Sequence, residues 1–319
     1  MTENSSPSKQ SAGVVRWGMI GAGNVCEHKA GPPLYETPGS KLVLVHRRDR
    51  AAGEDFVRRH GCGRYAATLR EVLESEEIDA VYVATPHALH AEQTVAALEA
   101  GKHVLVEKPM ALNTAECDAM TAAARANERS LGVAYYRRGY PSVQRVRALV
   151  DSGAIGQVER GSINNEFPTS HRLDLVHYLL GDIRAARRIA GGKDPFAFEA
   201  MAPRFDVETV SGAVVRVITP WAESGMPEAL RLEGTAGVIY LTDLKGGQLA
   251  VVTERGRVEE DTGTLPHTHR GIVENFVGHL MEGRPLLCDG AEGRKSTVIL
   301  DALAAAPDSG EWTAVDYST

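Results

Sequence analysis

Three groups of residues in this chain have the types and spacing to do chemistry. The first is Gly21-Ala22-Gly23-Asn24-Val25-Cys26, which follows the apolar run VVRWGMI (14–20). A glycine at the first place permits a tight strand-to-helix turn, and one at the third lets the backbone approach a pyrophosphate held at the start of the next helix. The third small position is filled by Cys26, a mild departure from Gly or Ala. Two glycines in such a turn can serve geometry alone, but standing after a first strand they read as dinucleotide-binding, with Gly21, Gly23, Asn24 and Val25 forming the cradle. The second group is Val45-His46-Arg47-Arg48-Asp49. A carboxylate at the end of the second strand accepts from the ribose 2′-hydroxyl of NAD, whereas a 2′-phosphate needs cations. Arg47 and Arg48 stand there, so NADP(H) is the preferred cofactor and NAD(H) the alternative. Arginines that merely end the strand in solvent, with Asp49 as a displaced acceptor, would fit the same residues. The third is Glu107-Lys108-Pro109 after the run HVLV (103–106). Proline holds the preceding lysine in an extended turn at the carboxyl edge of a sheet, where open α/β sheets bind ligands. An ammonium there can stabilise a developing alkoxide and, if burial lowers its pKa, donate the proton.

These groups need a scaffold, and the pattern around them supplies one. Runs 14–20, 41–46, 78–85, 103–107 and 131–135 are rich in Val and Ile and read as buried strands; 51–61, 69–77, 90–101 and 113–128 have helical spacing, with Asn113 and Glu116 as a capping box. Alternation of this kind predicts a doubly wound parallel sheet. After Tyr140-Pro141 the texture changes. A helix is expected over 142–153, a strand in GQVERGSINNEF (156–167), a helix at 171–181, and then runs such as 211–221, 229–235, 237–243 and 247–256 separated by turn residues, which predict a mostly antiparallel sheet. Helices return at 271–283 and 291–306. The division expected is a disordered leader over 1–13, a dinucleotide-binding Rossmann domain over 14–136, and an α+β substrate-binding and oligomerisation domain over 137–319.

Composition narrows the partners. The 319 residues carry 35 Lys plus Arg and 42 Asp plus Glu, a net charge of −7, which argues against nucleic acid. No apolar stretch is long enough to span a bilayer, and the start lacks the apolar core of a signal peptide, so a cytoplasmic protein without membrane association is expected. Cys26, Cys62, Cys117 and Cys288 are scattered singly and read as thiols rather than disulfides or metal ligands.

The segments WGMIGAG (17–23), ATPHALHAEQ (84–93), HVLVEKPMALN (103–113) and VAYYRRGYP (133–141) together resemble the glucose-fructose oxidoreductase, inositol dehydrogenase and rhizopine-catabolism (Gfo/Idh/MocA) family of NAD(P)-dependent oxidoreductases. The resemblance implies that Lys108 lies beside the nicotinamide and handles the proton of the substrate oxygen. It implies that Thr85, Pro86, His90 and Glu107 line the cofactor pocket, with His87 a looser candidate, and that Tyr136 and Arg137 reach the substrate. SHRLDLVHYLLGDI (170–183) is similar to the family's substrate-site helix, which assigns His171 to substrate binding or acid–base work and Asp174, one turn on, as its partner or a ligand of a substrate hydroxyl. His171, Asp174 and His177 would spread metal ligands over too wide an arc, so no metal is expected. The implied activity is hydride transfer to or from a sugar, polyol or diol carbon, in a homo-oligomer, dimer or tetramer, acting on a small molecule. Two departures qualify it. Phe167 stands where an aspartate is usual before the histidine, and a strand reads as lost between Val210 and Ser211, which would shorten the second sheet. An impaired or repurposed member is therefore the alternative: a nucleotide-binding partner protein, or a non-redox or internal-redox biosynthetic enzyme.

Overall fold

The computed structural model describes residues 13–164, 169–190, 204–218, 229–307 and 310–318. The leader expected over 1–13, apart from Gly13, and Phe167 lie outside them.

The alternating apolar runs form β1 (Val15–Ile20), β2 (Ser40–His46), β3 (Arg64–Ala66), β4 (Ala80–Val83), β5 (His103–Val106) and β6 (Leu131–Val133). They make a parallel sheet in the order β3-β2-β1-β4-β5-β6. The order reverses between β1 and β4, and this is where an open α/β sheet opens a crevice at its carboxyl ends. The connecting helices are α1 (Asn24–His28), α2 (Gly31–Glu36), α3 (Arg50–His60), α4 (Leu69–Leu73), α5 (His90–Glu99) and α6 (Thr114–Ala126). Period-two alternation sorts β1 between its two faces: Val15, Trp17 and Met19 join one core and Ile20 the other. The capping box is present, with Asn113 Oδ1 accepting from the Glu116 N–H at 2.9 Å and Asn113 Nδ2 donating to the Glu116 carboxylate at 3.1 Å.

A 3₁₀ turn at Tyr136–Gly139 leads into α7 (Pro141–Asp151), β7 (Val158–Asn164), α8 (Thr169–Leu180), β8 (Ile183–Ala190), β9 (Arg204–Thr209), β10 (Val214–Ile218), β11 (Ala229–Gly234), β12 (Gly237–Leu241), β13 (Gln248–Thr253) and β14 (Gly256–Asp261). The chain then forms α9 (Arg270–Glu282), α10 (Gly290–Ala305) and β15 (Thr313–Ala314). Among the described residues the second sheet has nine strands, in the order β14-β13-β12-β11-β7-β10-β9-β8-β15. It is antiparallel except where β7 runs parallel to β10. Between Val210 and Ser211, where a strand reads as lost, a hairpin turn joins β9 directly to β10. Gly212 sits there at φ +91°, and the Thr209 N–H donates to the Ala213 carbonyl at 2.9 Å.

α7, α8 and α10 cover one face of this sheet, with Val143, Val146, Leu173, Val176, Leu179 and Ile299 in its core. α9 packs elsewhere. Its stripe Ile272, Val273, Phe276 and Val277 lies on the first sheet beside Trp17, Met19, Tyr82 and Leu105, with the Trp17 and Phe276 rings 5.4 Å apart. Residues 288–289 pair along β6.

Candidate active site

The carboxyl ends of β1, β2, β4, β5 and β6 gather most of the residues singled out above. At the end of β1, Gly21 has φ +92°, and a Cβ there would stand 2.6 Å from the Ala84 carbonyl oxygen. Glycine is required for the fold at this position. Gly23 differs: its φ is −96°, and a Cβ on it would meet no protein atom closer than 4.0 Å. Its bareness leaves open space in front of the turn, which fits the close approach of a phosphate. Asn24 is exposed and Val25 half-buried at the start of α1. Cys26 is buried with its thiol 3.5 Å from the Gly21 carbonyl, and burial pushes its pKa far up, so it is inert packing.

Arg47 reaches across this turn and donates to the Ala22 carbonyl at 2.7 Å, while Arg48 is exposed. Asp49, exposed, caps α3, its Oδ1 accepting from the Ala52 N–H at 3.0 Å. The glycine turn and the space before Gly23 fit the pyrophosphate of a dinucleotide.

From the end of β4, Thr85 lies against Gly21 and donates to Gln93 at 2.7 Å. Pro86 and His87 are exposed in the turn before α5. His90 is fully buried, its ring nitrogens each 2.9 Å from a backbone carbonyl, Pro109 on one side and Thr85 on the other. This is a correction to its expected place in the pocket lining. His90 is a clasp holding the turn after β4 to the turn after β5.

At the end of β5, Glu107 is buried and receives three donors. These are the Tyr82 hydroxyl at 2.5 Å, His269 Nε2 at 2.7 Å and the Lys108 N–H at 3.1 Å. Burial would raise its pKa, but His269, Lys108 and Tyr82 outweigh that and hold the carboxyl at about 2. Lys108 follows, half-buried, joined to Pro109 by a cis peptide. Burial pushes its pKa down, assisted by Arg137 and Lys29 and opposed by Glu107.

His171, on α8, is fully buried, and neither ring nitrogen has a hydrogen-bond partner among the described residues. Burial, then Lys108, Arg137, His269 and Arg172, drive its pKa well below the usual histidine value, so the ring is neutral. A buried imidazole with two unsatisfied nitrogens is an expensive arrangement unless a ligand completes it. Tyr136 is wedged between two imidazoles, 4.6 Å from the His171 ring and 4.1 Å from that of His269, and its hydroxyl accepts from Arg137 at 3.1 Å. Lys108, Tyr136, Arg137 and His171 are thus brought together.

Asp174 is not. Its carboxylate faces Arg138, with Oδ1 2.7 Å from Nη2 and 3.0 Å from Nε, and both side chains are sealed from solvent. The assignment of Asp174 to His171 or to a substrate hydroxyl is corrected: it anchors α8 to the Tyr136–Gly139 turn. His177 pairs with Glu292 at 2.9 Å and lies 3.2 Å from Asp182. Among the described residues no group of His, Cys, Asp or Glu is placed to hold a metal ion, and no helix is long and apolar enough to cross a membrane.

Sequence reasoning missed Arg138 and His269. Arg138 was concealed by standing next to Arg137. His269 sits just ahead of a helix that was legible only from Gly271 onward, and its partner is 162 positions away in sequence.

A family model described as "Oxidoreductase family, NAD-binding Rossmann fold" matches residues 15–135. Over 316 residues the chain is 35% identical to Oxidoreductase P35 of Formosa agariphila, covering 91% of this chain and 98% of that protein. It is 33% identical over 142 residues to a 1,5-anhydro-D-fructose reductase of Ensifer adhaerens, covering 44% of this chain and 42% of the relative. The fold superposes on that of an oxidoreductase from Agrobacterium radiobacter, solved with NAD+, L-tartaric acid and magnesium. The TM-score is 0.84 at 18% identity, over 94% of this chain and 98% of the other.

Proposed function

Because the chain belongs to the Gfo/Idh/MocA family of oxidoreductases, we propose that it moves a hydride between NADP(H) and a carbinol or carbonyl carbon of a sugar, polyol or diol. Lys108 would hold the proton at the reacting oxygen. The observation that carries this reading is the meeting of Lys108 with the unsatisfied, neutral His171 at the carboxyl end of β5. A 1,5-anhydro-D-fructose reductase among the relatives supports a sugar substrate.

Gly21, Gly23, Asn24 and Val25 would cradle the pyrophosphate, Arg47 and Arg48 the 2′-phosphate, and Thr85, Pro86 and Glu107 would border the nicotinamide end, with His90 holding the turns around it. When bound there, the nicotinamide supplies or accepts the hydride. Lys108 Nζ does the proton work. In oxidation the amine takes the proton from the substrate hydroxyl, and in reduction the ammonium gives it to the oxygen that receives negative charge. Burial lowers the proton affinity of Lys108, which eases its release of the proton to the substrate oxygen. His171 donates to or accepts from a second substrate oxygen, Tyr136 and Arg137 border the same space, and the buried rings exclude water. We also propose a cytoplasmic homo-oligomer, dimer or tetramer, a state that light scattering would read directly.

Fluorescence titration with NADPH and NADH, followed by turnover on a panel of aldoses, ketoses and diols, tests the reading. NADPH is expected to bind about tenfold more tightly than NADH, a preference that Arg47→Ser removes. Lys108→Met should still bind nucleotide while turnover drops by about a hundredfold to ten-thousandfold. A nucleotide-binding partner protein would show the binding and no turnover in any variant.

A further inference from the structure

The buried pair Glu107–His269 lies beside the reacting residue. Glu107 directly follows β5, one residue before Lys108, and His269 stands immediately ahead of α9, on a segment that reaches the first sheet only through tertiary packing. His269 is fully buried, its Nδ1 3.0 Å from the Thr268 hydroxyl and its Nε2 2.7 Å from Glu107 Oε1, with the Tyr136 ring over it. Since an ionised carboxylate only accepts, Nε2 is the donor in that contact.

We propose that His269 is a positioning residue of the hydride-transfer reaction: by donating to Glu107 it keeps that carboxylate charged and turned toward Lys108, and so sets the place and the proton affinity of the Lys108 ammonium. The inference rests on the proton-handling role given to Lys108 above. The Glu107 carboxylate also receives the Lys108 N–H, so its orientation and that of the Lys108 backbone are coupled. Electrostatically it is the group that supports the Lys108 charge against burial, Arg137 and Lys29. The other titratable groups facing the pair are Tyr82 on β4, Cys26 on α1, His87 before α5 and His171 on α8. Of these, Tyr82 donates to the same Glu107 oxygen as His269. Without the His269 donor, burial would draw Glu107 toward its neutral form, and the Lys108 ammonium would lose the anion beside it.

Competitive acetylation of Lys108 with acetic anhydride across pH, read by mass spectrometry on the whole chain, measures its midpoint without any substrate. His269→Leu is expected to lower that midpoint by about one pH unit, and to shift the corresponding limb of the pH–rate profile by the same amount. His269→Gln keeps an N–H donor toward Glu107 and should restore both. Glu107→Gln should lower the midpoint as His269→Leu does. A folded His269→Leu protein with Lys108 at its original midpoint would overturn the proposal. Where that variant does not fold, an unchanged midpoint in Glu107→Gln overturns it instead. Turnover that survives Lys108→Met would refute the role of Lys108, while the acetylation midpoints still decide whether His269 governs it.

Discussion

Glu107 and Asp174 are both buried carboxylates, yet their environments oppose each other. Glu107 is held at about 2, below the ordinary value of 4.5, because His269, Lys108 and Tyr82 outweigh the effect of burial. A carboxylate whose folded pKa is depressed contributes stability that is fully present above its unfolded pKa and is lost as pH falls through the folded one. That contribution, about 3 kcal/mol from the size of the shift, should disappear between pH 4.5 and about 2. Denaturation measured across this window should therefore fall more steeply for the native chain than for Glu107→Gln; parallel curves would show that the carboxylate is not the acid-sensitive element. Asp174 shows the reverse balance, since burial raises its pKa despite Arg138. Its value lies in not leaving Arg138 alone, because a buried charge stripped of its partner is far costlier than the pair is stabilising. Asp174→Ala should cost about 3 kcal/mol in chemical denaturation while nucleotide affinity stays unchanged. A raised KM for substrate in the folded variant, with nucleotide affinity intact, would instead return Asp174 to the substrate site.

The turn after β1 separates two uses of glycine that the sequence alone presents as one motif. Gly21→Ala places a Cβ against the Ala84 carbonyl in a left-handed backbone conformation, so it should lower stability by about 1–3 kcal/mol. Gly23→Val meets no protein atom closer than 4.0 Å from its Cβ, so melting should barely move while nucleotide affinity falls at least about tenfold. Calorimetry and fluorescence titration on the two variants should thus give opposite patterns. The turn was legible because strand, glycines and helix are consecutive, and the same holds for the apolar runs of β1, β2, β4, β5 and β6. β8 was not legible. Its sequence, Ile183–Ala190, carries three arginines, and Arg188 is buried because it donates to the Leu303 and Ala306 carbonyls at the end of α10. An arginine that satisfies a helix terminus looks, in sequence, like one facing solvent. α2 was hidden in Gly31-Pro32-Pro33, which reads as a turn although proline suits the first turn of a helix. The Asp174–Arg138 and Glu107–His269 pairings are products of tertiary packing, and no local pattern announces them.

At the scale of the molecule, the order of the chain and the order of its cores differ. A division near residue 137 assigns α9 to the second half, but the apolar stripe of α9 covers the first sheet, where Phe276 packs on Trp17. The segment after α9 extends that sheet, with the Val133 N–H donating to the Cys288 carbonyl at 2.9 Å. α10 then ties down α6, through Arg294 to Asp118 at 2.6 Å and the Thr114 hydroxyl to Asp301 at 2.8 Å. The nucleotide-binding half is therefore completed by residues that come last in sequence, and the same return delivers His269 to Glu107. A fragment of residues 13–153 lacks that cover. It contains Trp17 as its single tryptophan, a side chain fully buried in the whole chain, so its emission reports directly on the missing face. The fragment alone should emit at long wavelength, bind no nucleotide and aggregate through the uncovered apolar face. Adding a peptide of residues 264–307 should shift the emission to shorter wavelength and restore nucleotide binding together. Short-wavelength emission and full nucleotide affinity in the fragment alone would mean that α9 is an accessory to a first half already complete without it.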